Sequence, residues 1–389
     1  MDIGTIGEQY HSTKNLIYLD WNNNGPDYLD QFFDEAKVML SEVFTRDGSG
    51  IDAGEIPFYE GWDYLVVSFG GDQLDEVQCF VAELGIPGDK VIYVSDDSVL
   101  LGDPESTSIL SPFWKLVIER NTKLKEYQQK AMGNYVAVSA EGMSFINTSR
   151  DECINYSMYV QKEVWAKDDM LTFYNMAQER FSFREEQNVF CDIGANIGTT
   201  SLYFKKNIDS KIKILAFEPS KENYKLYRIN AIINDIDDDE VQLEKCGLSD
   251  SEYECEFTYD PINPGGSSIT TEESWGQKEI VKMISFDEYV EKRKLDVNSI
   301  KYIWVDVEGH EPDFIKGAKQ TLKAINVPII MEFTPRLYKG RYKEYVEDLA
   351  EIYDSFSLAA GDWKKEYSIR SLLELEDIEE QLDLFLFKK

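Results

Sequence analysis

Residues 188–198, Asn-Val-Phe-Cys-Asp-Ile-Gly-Ala-Asn-Ile-Gly, constrain this chain more than any other stretch. A short apolar run over 189–191 ends in Asp192. A turn follows through Gly194, Asn196 and Gly198, and 199–205 reads as the start of a helix. A second apolar run, 212–217, ends in Glu218, with Pro219 and Ser220 behind it. Strand, tight turn, helix, strand, acid is the order in which an open α/β sheet builds a nucleoside site. Small residues let the backbone approach the ligand, and the acid on the next strand receives the ribose hydroxyls.

The spacing narrows the nucleoside. A dinucleotide fold uses Gly-x-Gly-x-x-Gly with a helix N-terminus facing a pyrophosphate. Here the run is Asp192-x-Gly194-x-Asn196-x-Gly198, with Asn at the middle position and an acid ahead of the turn. An acid there repels phosphate. It suits S-adenosylmethionine, which has no phosphate and carries an amino group and a cationic sulfonium. The alternative is a generic strand–turn–helix without a ligand. Glu218-Pro219-Ser220 in register weighs against it.

The 389 residues suggest two domains, or one large domain with an extension. Lys and Arg total 40 against 73 Asp and Glu, a formal net charge of −33. Such a surface repels nucleic acid and anionic lipid, so neither is expected as a partner. No apolar run approaches the ~20 residues needed to span a bilayer. The start of the chain lacks the basic region and apolar core of a signal peptide. The five cysteines (Cys79, Cys153, Cys191, Cys246, Cys255) are scattered and form no Cys-x-x-Cys pair, which fits free thiols in a reducing cytoplasm. His11 and His310 are the only histidines, which excludes a histidine-rich metal site.

The chain reads as a smaller N-terminal α/β domain over 1–111, a linking helix over 112–134 and a second domain over 135–389. In the first domain, strands are expected at 15–19, 64–69 and 91–94, with helices at 26–44 and 73–84. Gly70 and Gly71 sit between strand and helix without the rest of a nucleotide fingerprint, so a structural or partner-docking role is expected there. A hairpin around 139–142 opens the second domain. Strands then follow at 189–192, 212–217, 241–245, 302–305, 328–332, 352–358 and 382–387, with helices between most of them. This spacing predicts a Rossmann-like, seven-stranded, doubly wound sheet. The clearest helix is 221–234, capped by Ser220, with an apolar stripe through Tyr224, Leu226, Tyr227, Ile229, Ala231 and Ile233. Residues 263–268, Asn-Pro-Gly-Gly-Ser-Ser, read as a flap near the cofactor or as an ordinary surface hairpin.

A second chemical motif, 301–312, runs an apolar strand into Asp306-Val307-Glu308-Gly309-His310-Glu311. Burial and like-charge crowding should raise carboxylate pKa values there, as a general base requires. His310 has the natural pKa for that base. Asp306 could be the base, orient the acceptor or hold a divalent cation. Glu308 could orient His310, and Glu311 fits the N-terminus of the next helix. Glu332 ends an otherwise apolar strand, where an acid needs a partner or a ligand. No metal is expected, and a cation between Asp306 and Glu332 remains the lesser alternative.

Taken together, Asp192-Ile193-Gly194-Ala195-Asn196-Ile197-Gly198, Phe217-Glu218-Pro219, Gly247-Leu248-Ser249-Asp250, Gly265-Gly266-Ser267-Ser268 and the 306–311 motif resemble the FkbM-type methyltransferases. The resemblance covers about residues 135–389. It implies a class I S-adenosylmethionine-dependent methyltransferase fold, with O-methylation of sugars or natural-product hydroxyls as the usual chemistry. It implies that Asp192, Gly194, Ala195, Asn196 and Gly198 hold the methionine part of the cofactor. Glu218, with Pro219 and Ser220, would take the ribose, and Cys246 and Gly247 would lie along the adenine. Asp306, Glu308 and His310 would face a small-molecule or glycan acceptor. Two other readings stay open: a non-catalytic module that keeps the cofactor fold for assembly in a glycan-processing complex, and a nicotinamide oxidoreductase.

Overall fold

A computed structural model describes residues 14–20, 38–45, 51–52, 64–69, 74–87, 91–95, 99–101 and 123, and residues 126–389 except 152, 260–276, 339, 362, 377, 379, 380 and 389. Two compact units divide the chain, Thr5–Lys125 and Glu126–Lys389.

In the first unit, β1 (Lys14–Asp20), β2 (Val38–Thr45), β3 (Ile51–Asp52), β4 (Tyr64–Phe69), β5 (Val91–Ser95) and β6 (Val99–Leu101) form one sheet in the order β3-β2-β1-β4-β5-β6. It is parallel apart from the antiparallel β5–β6 pair. The helix Leu74–Glu83 covers it, and Val77 and Val81, one turn apart, are buried together with Leu65, Val67 and Val91. The helix expected over 26–44 is corrected at its end, since residues 38–45 are strand. That segment pairs with β1 on one side and β3 on the other, and its Val and Phe content suits a strand. Residues 26–37, Gly70 and Gly71 lie outside the described residues.

The second unit starts earlier than expected. Residues 126–128 are helical, and the Tyr127 ring is buried against Tyr156 and Tyr159 at 5.8 and 5.7 Å. The helix does not continue to residue 134, because Met132 bridges to Tyr135 as β-structure. A hairpin follows, β7 (Tyr135–Ala140) and β8 (Met143–Thr148). Its two-residue turn, Glu141-Gly142, has φ of 50° and 81°, the left-handed pair that a twisted hairpin requires.

The main sheet contains β9 (Val189–Ile193), β10 (Lys213–Phe217) and β11 (Val241–Glu244). A separate three-stranded sheet intervenes, with β12 (Gly247–Ser249), β13 (Tyr253–Tyr259) and β14 (Gln277–Ser285) in the order β12-β14-β13. The main sheet resumes with β15 (Ile300–Val305), β16 (Ile329–Phe333), β17 (Ser355–Leu358), β18 (Tyr367–Ser368) and β19 (Leu382–Phe387). Its order is β11-β10-β9-β15-β16-β19-β17-β18. All seven expected strands are present, and the two-residue β18 makes an eighth at the edge. From β11 to β16 the neighbours are parallel, and β19 runs antiparallel between β16 and β17. The order reverses between β9 and β15, which opens a crevice at the carboxyl ends of those two strands.

Near the base of β9 and β15 the interior is aromatic. Phe173 packs within 6.4 Å, centroid to centroid, of Phe204, Tyr302, Trp304 and Phe385. Ser220 caps the helix Lys221–Ile233 by accepting from the Asn223 amide. The buried face of that helix keeps Leu226, Tyr227 and Ala231 of the expected apolar stripe but adds asparagines and leaves out Ile233. Asn223, Leu226, Tyr227, Asn230 and Ala231 face inward, while Ile232 and Ile233 are exposed. The asparagines work as backbone partners. Asn230 accepts from the Ile146 amide at 2.7 Å and donates to the carbonyls of Ile146 and Ile197, and Asn234 accepts from the Ser144 amide and donates to its carbonyl. The helix thus satisfies the edge of β8 much as another strand would. All five cysteines are free. Among the described residues no helix is long and apolar enough to cross a membrane.

Candidate functional site

At the end of β9 the chain turns sharply. Gly194 has φ 86°, and its amide and that of Ala195 both donate to the Phe217 carbonyl, at 3.1 and 3.0 Å. The structure gives this glycine a role beyond ligand access. A Cβ on it would lie 1.7 Å from the Asp306 carbonyl oxygen. The Asp306 amide donates to the Ile193 carbonyl at 2.9 Å. The nucleoside turn and the acidic loop after β15 are therefore in backbone contact, and only glycine permits it. Gly198 caps the helix Thr199–Tyr203 with φ 87°, pressed against Leu202 and Tyr227.

Glu218 lies just beyond the end of β10 and is 4% exposed. One carboxylate oxygen accepts from the Asn196 amide and the other from the Ser220 amide, both at 2.8 Å. A carboxylate has about four acceptor positions, so about two remain for a ligand. Burial raises its pKa to about 8, with the Asp192 and Glu279 charges adding to the shift and the two amide hydrogen bonds opposing it. Asp192, within β9, is pushed by burial to about 7; hydrogen bonds from Ser201 oppose the shift and the Asp306 charge adds to it. Asp192 Oδ2 and Asn196 Oδ1 are buried and have no hydrogen-bond partner. Asn196 itself has φ 47°, a strained value that holds its amide toward Glu218. Asp192, Asn196 and Glu218 thus keep unused acceptor capacity around one turn, which suits the ammonium and two hydroxyls that S-adenosylmethionine would offer, and the residues fit that cofactor. Pro219 and Gly247 are neighbours: a Cβ on Gly247 would lie 3.6 Å from Pro219 Cβ. Cys246 is 6% exposed, and burial raises its thiol pKa to about 12, so it presents a neutral apolar surface. A cleft lined in part by Glu244, Cys246, Ile284, Tyr289 and Arg293 opens beside it.

The loop after β15 is held by an acid that sequence reasoning placed only at a helix end. Glu311 is fully buried. Its Oε1 accepts from the Val307 and Gly309 amides at 3.1 and 3.4 Å, and its Oε2 accepts from the Tyr338 hydroxyl at 2.9 Å. Within the loop, Glu308 and Gly309 are both left-handed, with φ 51° and 87°. The structure brings Asp306 and Glu308 together with Glu332 at the end of β16: one oxygen of each lies within 4.8 Å of the others. Burial raises all three pKa values. At Glu308 the charges of Asp306 and Glu311 add to it, against Arg336; at Glu332 the charges of Glu308, Asp306 and Glu311 add to it. The Asp306 and Glu332 carboxyls are close enough to share a proton.

His310 does not join that group. Its ring is 6% exposed and turned toward β12, with Nε2 3.0 Å from Ser249 Oγ and Nδ1 3.3 Å from Asp313 Oδ2. Ser249 Oγ also meets the Tyr253 hydroxyl at 2.9 Å, and Arg341 binds Asp313. Burial lowers the His310 pKa, with Asp313 opposing. The two left-handed residues before it reverse the chain, which is why neighbours in sequence face different surroundings. His310 ties the small sheet to the helix Glu311–Gly317. Residues 263–268, read as a flap, lie outside the described residues.

Sequence reasoning missed Asp383. It sits opposite Glu332 in the β16–β19 register, and burial raises it to about 7, with the Asp169 and Asp306 charges adding. The signal was available, for it is the only acid in the apolar run Leu-Asp-Leu-Phe-Leu-Phe.

Residues 192–367 match the methyltransferase FkbM domain family. The hexuronic acid methyltransferase AglP of Haloferax volcanii is 29% identical over 170 residues, which span 43% of this chain and 66% of that protein. Methyltransferase sdnD of Sordaria araneosa is 30% identical over 174 residues, spanning 44% of this chain and 58% of that protein. The chain thus spans about three fifths to two thirds of the length of these curated relatives. Among solved structures, methyltransferase FkbM from Methylobacillus flagellatus aligns over 98% of this chain and 92% of its own, with a TM-score of 0.37 and 11% identity.

Proposed function

From a chain whose residues 192–367 match the methyltransferase FkbM domain family, we propose an S-adenosylmethionine-dependent O-methyltransferase that acts on a hydroxyl of a sugar, glycan or sugar-containing metabolite. The observation that carries this reading is the Glu218 carboxylate. It is buried at the crevice with both oxygens fixed by amides and with the orphan acceptors of Asp192 and Asn196 nearby in the same turn. A relative named as a hexuronic acid methyltransferase supports a sugar acceptor.

When bound, S-adenosylmethionine supplies an electrophilic methyl group on a cationic sulfur. Glu218 would accept the ribose hydroxyls, Asp192 and Asn196 would offer acceptors to the amino group, and Cys246 and Gly247 would line the adenine. The turn fixes this end of the cofactor, while Asp306 and Glu308 sit on the loop in backbone contact with that turn. Their raised pKa values suit carboxylates that take a proton from an acceptor hydroxyl as the oxygen attacks carbon. Positioning supplies most of the remaining effect, since in-line displacement at carbon needs acceptor, methyl and sulfur aligned. His310 acts at one remove in this scheme, by anchoring the loop's exit helix to Ser249.

Calorimetry with S-adenosylhomocysteine tests the cofactor assignment. Parent protein is expected to bind, and Glu218→Ala to lose about 2 kcal/mol, roughly thirtyfold in Kd. Absence of binding by the parent would overturn the reading in favour of a non-catalytic module.

A further inference from the structure

We propose that Asp306, Glu308 and Glu332 form a site for one divalent cation of the Mg²⁺ or Mn²⁺ class. Their nearest oxygens lie within 4.8 Å of one another, so a small inward shift sets all three at the distance of about 2.1 Å that such an ion takes. A cluster of acids alone would not establish this, and Glu332 supplies the independent sign. It is 2% exposed, its Oε1 takes the Thr334 hydroxyl at 2.6 Å, and its Oε2 is buried with no hydrogen-bond donor, the carboxyl lying against that of Asp306. A buried charged oxygen without a donor costs several kcal/mol unless a cation or proton meets it. Asp383, opposite Glu332 in the sheet, adds to the negative field. The chain is also arranged to present these groups. Glu308 is held in a left-handed conformation, and the Glu311 carboxylate anchors the amides on either side of it.

The role of the ion rests on the proposed methyl transfer; its binding does not. A cation here would take the acceptor hydroxyl, or two neighbouring hydroxyls of a sugar, as oxygen ligands and lower their pKa. The acceptor oxygen then forms the new C–O bond. The methyl–sulfur bond breaks with its electron pair left on sulfur, giving S-adenosylhomocysteine. The hydroxyl proton passes to a cluster carboxylate and on to water.

The test uses the full chain, stripped with chelator and titrated with MnCl₂ alone, read by loss of the free Mn²⁺ electron paramagnetic resonance signal and by Tm. One Mn²⁺ per chain is expected, displaced by Mg²⁺ or Ca²⁺, with a rise in Tm. Asp306→Asn and Glu332→Gln should each weaken binding at least tenfold. Glu332→Gln should still fold, with a metal-free Tm at or above the parent's. Glu256→Gln, an exposed acid on β13, should change nothing. No binding at millimolar Mn²⁺, or binding unchanged in both cluster variants, would overturn the site and assign any uptake to the acidic surface. S-adenosylhomocysteine calorimetry in chelator separates the two proposals. Cofactor binding without Mn²⁺ binding removes only the cation, and the reverse removes only the methyltransferase.

Discussion

Glu218 has exchanged water for two amide donors, and the exchange leaves a signature in pH. Its pKa in the fold, about 8, stands above its ordinary 4.5. A carboxylate shifted upward binds more protons in the folded state. Its contribution to stability is complete below 4.5 and is lost as pH rises toward 8. Glu218→Gln removes that titration. Melting curves across this interval should therefore fall less steeply for the variant than for the parent, while S-adenosylhomocysteine binding weakens. Equal slopes would mean that Glu218 is ionised at no cost in the empty fold. The residue was legible in the sequence because an acid ending an apolar strand, two residues ahead of a helix cap, has few other uses. The true neighbours of His310 were not legible. Sequence placed it beside Asp306 and Glu308, but the turn at Glu308 and Gly309, visible only as backbone angles, sends its ring to Ser249.

At the level of elements, apolar runs gave away the strands of the main sheet: β9, β10, β15 and β16 are parallel, buried on both faces and nearly continuous in apolar residues, and the antiparallel β19 between β16 and β17 is buried in the same way. The three-stranded sheet escaped. Tyr253–Tyr259 does alternate, with Tyr253, Cys255 and Phe257 packed inward or partly buried and Glu254 and Glu256 outward, but it lies in a stretch that strand–helix spacing assigns to a loop. The helix Lys221–Ile233 was found by its period, yet its inward asparagines were read past. Asn230 is the one to test. Asn230→Ala leaves the Ile146 amide and the carbonyls of Ile146 and Ile197 without these partners, a loss of about 1–3 kcal/mol. Hydrogen exchange should speed up at the Ser144 and Ile146 amides while β9 stays protected. Unchanged protection along β8 would show that the hairpin holds itself.

For the whole molecule, two units of different character share one chain. Residues 126–389 contain the complete main sheet, its aromatic interior, and the buried Tyr127 that closes the start of the unit. We therefore expect a fragment of residues 126–389 to unfold in one cooperative transition and to bind S-adenosylhomocysteine within about twofold of the full chain. A fragment that fails to fold, or that folds without binding, would mean that Thr5–Lys125 completes the site.

The contact between Gly194 and the Asp306 carbonyl also bears on how such a site can change through descent or redesign. A loop that chooses the acceptor and a turn that grips the nucleoside look like separable modules, free to be traded among relatives. Here they meet backbone to backbone, with no room for a Cβ at Gly194. A new acceptor loop must therefore keep the path of its first carbonyl, whatever side chains follow. The backbone at 306 is tied to the turn after β9, and the amides at 307 and 309 are tied to the Glu311 carboxylate.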